Sequence, residues 1–194
     1  MSPRTKLVLM MVLFALPTLA SFTAFYLFPP TKTSNYGQLV SPVVNLPPFP
    51  STGAEGGDAP KNVIEQGLRG KWLLATRDGG ACGTVCEQKL LAMRQSRLIV
   101  GRELDRVVRV VLIDDDVMPS ELMIKRYQGT VWVKAKSLPW LERLPLPPQG
   151  DGSGRNAIYA VDPLGNVFML YGPDADAKLI AKDLRRVLKA SQIG

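Results

Sequence analysis

The chain has two cysteines, four residues apart, in Cys82-Gly83-Thr84-Val85-Cys86, and no histidine. The missing histidine rules out Ser-His-Asp and Cys-His catalysis, HExxH zinc sites and CxxCH haem attachment. What chemistry there is falls to the two thiols. They follow the short apolar run Trp72–Thr76, which places them at a strand-to-helix junction. In a helix, residues four apart share a face, so Cys82 is expected at or just before the first turn and Cys86 one turn in. Backbone N–H groups and the helix dipole favour negative charge at that end, which lowers thiol pKa and sharpens both nucleophilicity and soft-metal affinity. Cys82 is read as the more exposed, attacking sulfur and Cys86 as the resolving one. Arg77 and Lys89 would support a thiolate; Asp78 and Glu87 would oppose it. The competing reading is a structural disulfide, but a loop this short removes little chain entropy and makes a weak staple.

The elements that carry this pair follow from the rest of the chain. Leu7–Phe28 is a run of 22 residues without a charged side chain. At about 1.5 Å per residue it can cross a hydrocarbon core of roughly 30 Å. Pro17 inside it is tolerated in membrane helices. Arg4, Lys6 and the terminal amine precede it, which keeps residues 1–6 cytoplasmic and the rest outside. A cleaved signal peptide is the rival, with small residues at Thr18-Leu19-Ala20. The apolar run continues past such a cut and exceeds the usual h-region of about 7–15 residues, which favours an uncleaved anchor over 7–28. Either way the body of the protein is extracytoplasmic or periplasmic, where a cysteine pair can be oxidised or held reduced by a dedicated donor.

The net charge is +7, from 24 basic and 17 acidic residues. With Arg4 and Lys6 in the tail, the exported part keeps 22 against 17, a charge of +5. That is read as a solvated, mildly basic surface. There is no basic block interleaved with aromatics, so nucleic acid is excluded as a partner.

Residues 29–60, rich in Pro, Gly, Ser and Thr, are expected to be an extended linker. Residues 61–194 have the size of one domain. Strands are predicted at Lys71–Thr76, Val107–Ile113, Thr130–Lys134, Ala157–Val161 and Val167–Leu170, the last two joined by the turn Asp162-Pro163-Leu164-Gly165. Helices are predicted from Ala81 to about Gly101, from Pro119 to Tyr127, and from Ala175 to Ser191, the last amphipathic with Leu179, Ile180, Leu184, Val187 and Leu188 inward. The order β-α-β-α-β-hairpin-α, with the dithiol at the first junction, is that of an α/β thioredoxin-like fold: a central mixed sheet flanked by helices, with a right-handed first crossover.

Other chemistry-bearing residues read more plainly. Asp114-Asp115-Asp116 closes a strand and is expected as a solvated turn rather than a cation site. Met93 and Met169 read as core. Met118 and Met123 flank a loop and could supply a thioether to copper(I). Gly150–Gly154 is a flexible loop without the strand a phosphate cradle needs, and Trp72, Trp132 and Trp140 read as packing residues.

Six segments, in order, carry a family resemblance. They are Asn35-Tyr36-Gly37-Gln38-Leu39, Gly70-Lys71-Trp72-Leu73-Leu74, the Cys82–Cys86 motif, Leu112-Ile113-Asp114 up to Pro119, Tyr159–Asn166, and Asp183-Leu184-Arg185-Arg186-Val187-Leu188. The chain resembles the Sco/SenC proteins, membrane-anchored thioredoxin-fold factors for copper delivery to cytochrome c oxidase. Two departures matter. The family places proline directly after the second cysteine, where this chain has Glu87. The family also completes its copper site with a histidine from the loop before the last hairpin, a stretch that corresponds to about Gly152–Asn156. The resemblance therefore implies a histidine-lacking member whose three-ligand copper site cannot form as usual. Three functions stay open. One is thiol–disulfide exchange through Cys82 and Cys86 on a respiratory oxidase subunit or other thiol-bearing client. Another is a copper(I) chaperone in which Cys82 and Cys86 hold the metal. The third is a non-catalytic assembly scaffold. Imidazole-dependent copper(II) binding is disfavoured in all three.

Overall fold

The computed structural model describes residues 2–27, 34–49, 54–55, 61, 65, 67–148 and 151–193. The chain divides into two compact units, Met1–Ser34 and Asn35–Gly194.

The first unit holds one helix, α1, Pro3–Leu27, of 25 residues with Pro17 inside it. Its 18-residue window of highest mean hydropathy reaches 2.1, which makes it a candidate membrane span. The hydroxyls of Thr18 and Thr23 donate to the carbonyls of Phe14 and Leu19 at 3.5 and 2.6 Å. Such back-bonding satisfies polar groups that lipid cannot.

The second unit is built on a seven-stranded mixed sheet. Its strands are β1 Gln38–Asn45, β2 Ala54–Glu55, β3 Trp72–Asp78, β4 Val107–Ile113, β5 Thr130–Lys134, β6 Ile158–Val161 and β7 Asn166–Tyr171, in the order β1-β7-β6-β3-β4-β5-β2. β3, β4 and β5 are parallel; the other pairings are antiparallel. Helix α2, Thr84–Val100, makes the crossover from β3 to β4. A 3-10 segment, Gly101–Arg106, leads into β4. Helix α3, Glu121–Arg126, precedes β5, and α4, Ala177–Ala190, follows β7.

Strand alternation sorts the core into two faces. Leu74, Val107, Ile158, Ala160 and Met169 meet α2 and α4 through Met93, Ile180 and Leu184. Leu73, Val108, Val110, Leu112, Tyr159 and Val161 face the other way, onto Leu46, Phe49, Trp140, Leu141 and Leu144. Met93 and Met169 are core residues, as expected. The β6–β7 turn forms as predicted. Asp162 accepts from the N–H groups of Leu164 and Asn166 at 2.9 and 2.8 Å, and Gly165 takes φ +87°.

Part of the stretch read as a linker is strand. β1 pairs antiparallel with β7, and Leu46 and Phe49 just beyond it are buried. The segment is tied down at its start as well. The buried carboxylate of Asp183 on α4 accepts from the N–H groups of Tyr36 and Gly37, both at 2.9 Å.

Candidate functional site

Cys82 and Cys86 are joined by a disulfide, with Cα atoms 5.1 Å apart. Both are buried, Cys82 at 6 % exposure and Cys86 at 1 %. The helix begins later than its apolar periodicity suggests. Gly83 is the extended N-cap of α2 and gives it no side-chain cap, while Cys82 has φ +45°. A left-handed residue cannot continue a right-handed helix, and for a non-glycine residue the conformation stores roughly 1–2 kcal/mol. Cys82 therefore lies in the turn before α2, its N–H donating to Gly79 O at 3.1 Å. Cys86 lies in the first turn of the helix, where unpaired amides favour a thiolate.

The turn that carries Cys82 is seated on the loop after β4. One carboxylate oxygen of Asp115 accepts from Gly80 N–H and Val117 N–H, each at 3.0 Å. A Cβ on Gly80 would clash with the Val117 carbonyl oxygen and stand 3.2 Å from Met118 N. Gly80→Ala is expected to force the two loops apart and destabilise the protein by about 1–3 kcal/mol, the usual cost of overpacking. Urea unfolding reads the effect, and an unchanged midpoint would show that the loops are not tightly apposed.

A charged cluster lies at the C-terminal ends of β3 and β4. The side chain of Asp114 is 4 % exposed and takes two guanidinium groups: Arg77 Nε at 2.8 Å, and Arg155 through Nε at 3.0 Å and Nη2 at 2.6 Å. Arg77 also reaches Glu142 at 2.9 Å. Lys89 on α2 is 0 % exposed and pairs with Asp78 at 2.8 Å. Its ammonium also donates to Arg77 O at 3.1 Å and to Arg155 O. Tyr159 donates to Gly154 O at 3.1 Å, and burial pushes its hydroxyl up to about 12. Loop 151–157 is thus held by three side-chain contacts: Arg155 to Asp114 just after β4, Lys89 of α2 to Arg155 O, and Tyr159 of β6 to Gly154 O.

These contacts set the titration of the cluster. Burial lowers the Lys89 ammonium below its ordinary value, with Asp78 opposing. For Asp114, burial works upward, but the bonds from Arg155 and Arg77 outweigh it and the carboxyl lies below its ordinary range. For Arg155, the bond to Asp114 raises the guanidinium further.

The structure brings Cys82 and Cys86 together with Leu90, Val111, Ile113, Tyr127 and Trp132, and packs Met118, Met123 and Ile124 against them. It commits Arg77 and Lys89 to carboxylates. The aspartate run, expected as a solvated turn, divides its duties. Asp114 is buried in ion pairs, Asp115 holds two amides, and only exposed Asp116 faces solvent, paired with Lys136. Among the described residues, no group of three or more His, Cys, Asp or Glu could hold a metal ion. Trp132 is packed, as expected, though its buried Nε1 has no acceptor among the described residues. Arg155 was not singled out by the sequence. Its one signal was its place in the stretch that corresponds to the histidine loop of the resembled family.

A mixed sheet with a disulfide at the β3–α2 junction defines a thioredoxin-like protein. The family model for the transmembrane-like, thioredoxin-like, C-terminal domain matches residues 72–191, and the chain belongs to that family. Solved structures with this fold include copper-bound ScoI from Arabidopsis thaliana, at 16 % identity and TM-score 0.50, covering 64 % of this chain and 88 % of that one. Copper-bound yeast Sco1 aligns at 14 % identity and TM-score 0.48, covering 64 % and 82 %. A SCO1/SenC family lipoprotein from Bacillus anthracis aligns at 19 % identity and TM-score 0.45, covering 62 % and 83 %. No curated protein matches the chain.

Proposed function

We propose that this is a membrane-anchored thiol–disulfide protein, with residues 1–6 cytoplasmic and the thioredoxin-like domain outside, that serves a cysteine-bearing client during assembly of a respiratory oxidase copper site. The observation that carries the exchange chemistry is the disulfide itself. It is a short-loop bond at a strand–helix junction, with one sulfur in a left-handed turn and the other in the first turn of α2. The oxidase as destination rests on the Sco/SenC resemblance, supported by the shared fold.

A dithiol donor delivers two electrons and two protons to the Cys82–Cys86 bond and becomes a disulfide. The Cys82 thiolate then attacks a client disulfide, forms a mixed disulfide and expels one client thiolate. The Cys86 thiolate attacks the Cys82 sulfur, re-forms the internal bond and expels the second client thiolate. Two electrons have passed to the client, leaving its cysteines free to take a metal.

Copper is named for the similar Sco structures, and the donor set of this chain fits only its reduced form. The soft sulfurs of the pair suit copper(I), whereas copper(II) favours imidazole, which the sequence lacks. Arg155, from the loop corresponding to the family's histidine, offers a cation held by Asp114 rather than a ligand.

The test is trapping in the membrane. Cys86→Ser is expected to accumulate a mixed disulfide through Cys82, visible as a reductant-sensitive adduct on non-reducing gels. Cys82→Ser is expected to accumulate far less. If the double variant Cys82→Ser/Cys86→Ser supports oxidase assembly as well as the native chain, the exchange reading is wrong and the fold is a scaffold.

A further inference from the structure

We infer that the exposed face of α4 docks on the anionic phosphate headgroups of the bilayer that holds α1. This rests on the reading of α1 as a membrane anchor and is independent of the cysteine chemistry. Helix α4, Ala177–Ala190, has five basic residues and one acidic residue. Most of the surplus of five positive charges in the exported part therefore lies in this one helix. Lys178, Lys182, Arg185 and Lys189 recur at intervals of four, three and four, and all are exposed, so they form one stripe along the helix. Arg186 flanks the stripe, 3.9 Å from Asp183. Asp183, the acid of the helix, is buried and accepts from Tyr36 and Gly37 N–H. Asp176, just before the helix, is engaged on the amides of Lys178 and Leu179. A solvated helix face ordinarily mixes signs, and like charges three or four residues apart destabilise a helix. Contact with an anionic surface relieves that repulsion.

The same helix holds the start of the domain. Besides the two amides bound to Asp183, the Tyr36 hydroxyl accepts from Asp176 N–H at 3.2 Å. Helix α1 ends at Leu27, and the covalent chain from there to Asn35 reaches at most roughly 30 Å. The beginning of α4 is therefore tethered within reach of the bilayer. Tyr36 and Leu179, 46 % and 37 % exposed, give this end a partly apolar edge suited to the headgroup level. A lipid surface fits the stripe better than an acidic protein does. The stripe runs roughly 16 Å along the helix, meets several headgroups without needing a matched pattern, and the tether makes the contact intramolecular. Each Lys or Arg near an anionic leaflet favours the docked state by roughly fivefold, and salt screens the effect. Tyr171 at the end of β7 pairs with Ile158, which pairs with Thr76 near the end of β3. The tether, the start of α4 and the cysteine turn thus share one end of the sheet, and docking limits the distance from the bilayer at which that turn is presented.

The experiment uses the full chain in lipid nanodiscs of phosphatidylcholine alone or of an equal mixture with phosphatidylglycerol. A water-soluble amine-acylating reagent is added briefly, and modification of each lysine is read by mass spectrometry. Modification of Lys178, Lys182 and Lys189 is expected to fall about fivefold or more in the anionic discs and to recover in high salt. Lys134, exposed at the end of β5 and three strands away from β7, should be modified equally in both. In Lys178→Gln/Lys182→Gln, the protection of Lys189 should weaken. Equal modification of the native stripe in both lipids overturns the inference, as does protection that high salt leaves intact or that the double variant keeps in full. Protection by inorganic phosphate or polyglutamate added to zwitterionic discs, with none from phosphatidylglycerol, assigns the stripe to a soluble anion or an acidic protein and overturns it too. The native comparison alone is decisive if the variant fails to fold. Incorporation into zwitterionic discs reads the anchor separately. A chain that does not incorporate removes the anchor and this inference together, whereas one that incorporates and labels equally removes this inference alone.

Discussion

Replacing Lys89 with methionine is expected to lower stability by about 3–5 kcal/mol, the cost of leaving a buried partner charge uncompensated. The side chain of Lys89 is 0 % exposed and that of its partner Asp78 only 12 %. Methionine fills the same volume, so packing is largely kept and the loss is electrostatic. It strands the Asp78 carboxylate and removes the donor from the carbonyls of Arg77 and Arg155. Urea unfolding of the full chain in micelles measures the loss. The double variant Lys89→Met/Asp78→Asn is the discriminating control. Removing both charges should recover most of the stability, because a buried ion pair is costly to halve and cheap to replace whole. If the single variant is as stable as the native protein, Lys89 is not the buried ammonium described here.

That pair also shows why the thiol site was only partly legible in the sequence. Cys82 and Cys86 announce themselves by type and spacing. Lys89 and Arg77 read as cations close to the sulfurs, and their partners could not be assigned from sequence distance. Asp114 comes next to β3 only because β3 and β4 pair in parallel, with Asp78 opposite Ile113 and Asp114 N–H donating to Asp78 O at 3.1 Å. Arg155 reaches Asp114 across 41 positions of sequence. Burial then turns charges that look solvated into a network of fixed pairs.

The fold was more legible, and its exceptions have physical causes. β4 and β5 match their predicted limits because continuous β-branched runs have few other uses. β1 was read as linker because its residues carry no apolar alternation. It is paired in the sheet on one side only, by β7, and no residue in it is fully buried. Pro42 interrupts it between the paired positions Leu39 and Val44, where the register shifts, which an edge strand tolerates. The start of α2 was read too early for the opposite reason. The apolar positions have helical spacing, but helical spacing does not show that Cys82 takes a positive φ or that Gly83 is extended.

Asp114→Asn is expected to cost about 3 kcal/mol at neutral pH and to flatten the acid limb of the stability curve. The low end of the range for a broken buried pair applies because Arg155 is 43 % exposed and water screens its half of the interaction. The direction with pH follows from linkage. The folded carboxyl lies below its ordinary value of 3.8, so between those two values the unfolded chain binds the proton and the folded chain does not. The contribution of Asp114 is therefore fully present above 3.8 and is lost as pH falls through the folded value. Other carboxylates titrate over the same span, so the informative quantity is the difference between native and variant stability at each pH. That difference should be constant near neutrality and shrink toward zero in acid. Curves that stay parallel down to the acid end would mean that Asp114 is not the ionised hub of the Arg77–Arg155 pair. The structural consequence is local. Protonating Asp114 releases the Arg155 side chain of loop 151–157 from the end of β4, while Lys89 and Tyr159 still hold that loop through the carbonyls of Arg155 and Gly154. The acid-sensitive contact is therefore the one beside the cysteine-bearing turn, where a Cβ on Gly79 would stand 3.5 Å from Arg155 Nη1, and amide exchange at Gly79 and Gly80 should rise before that of β6 and β7.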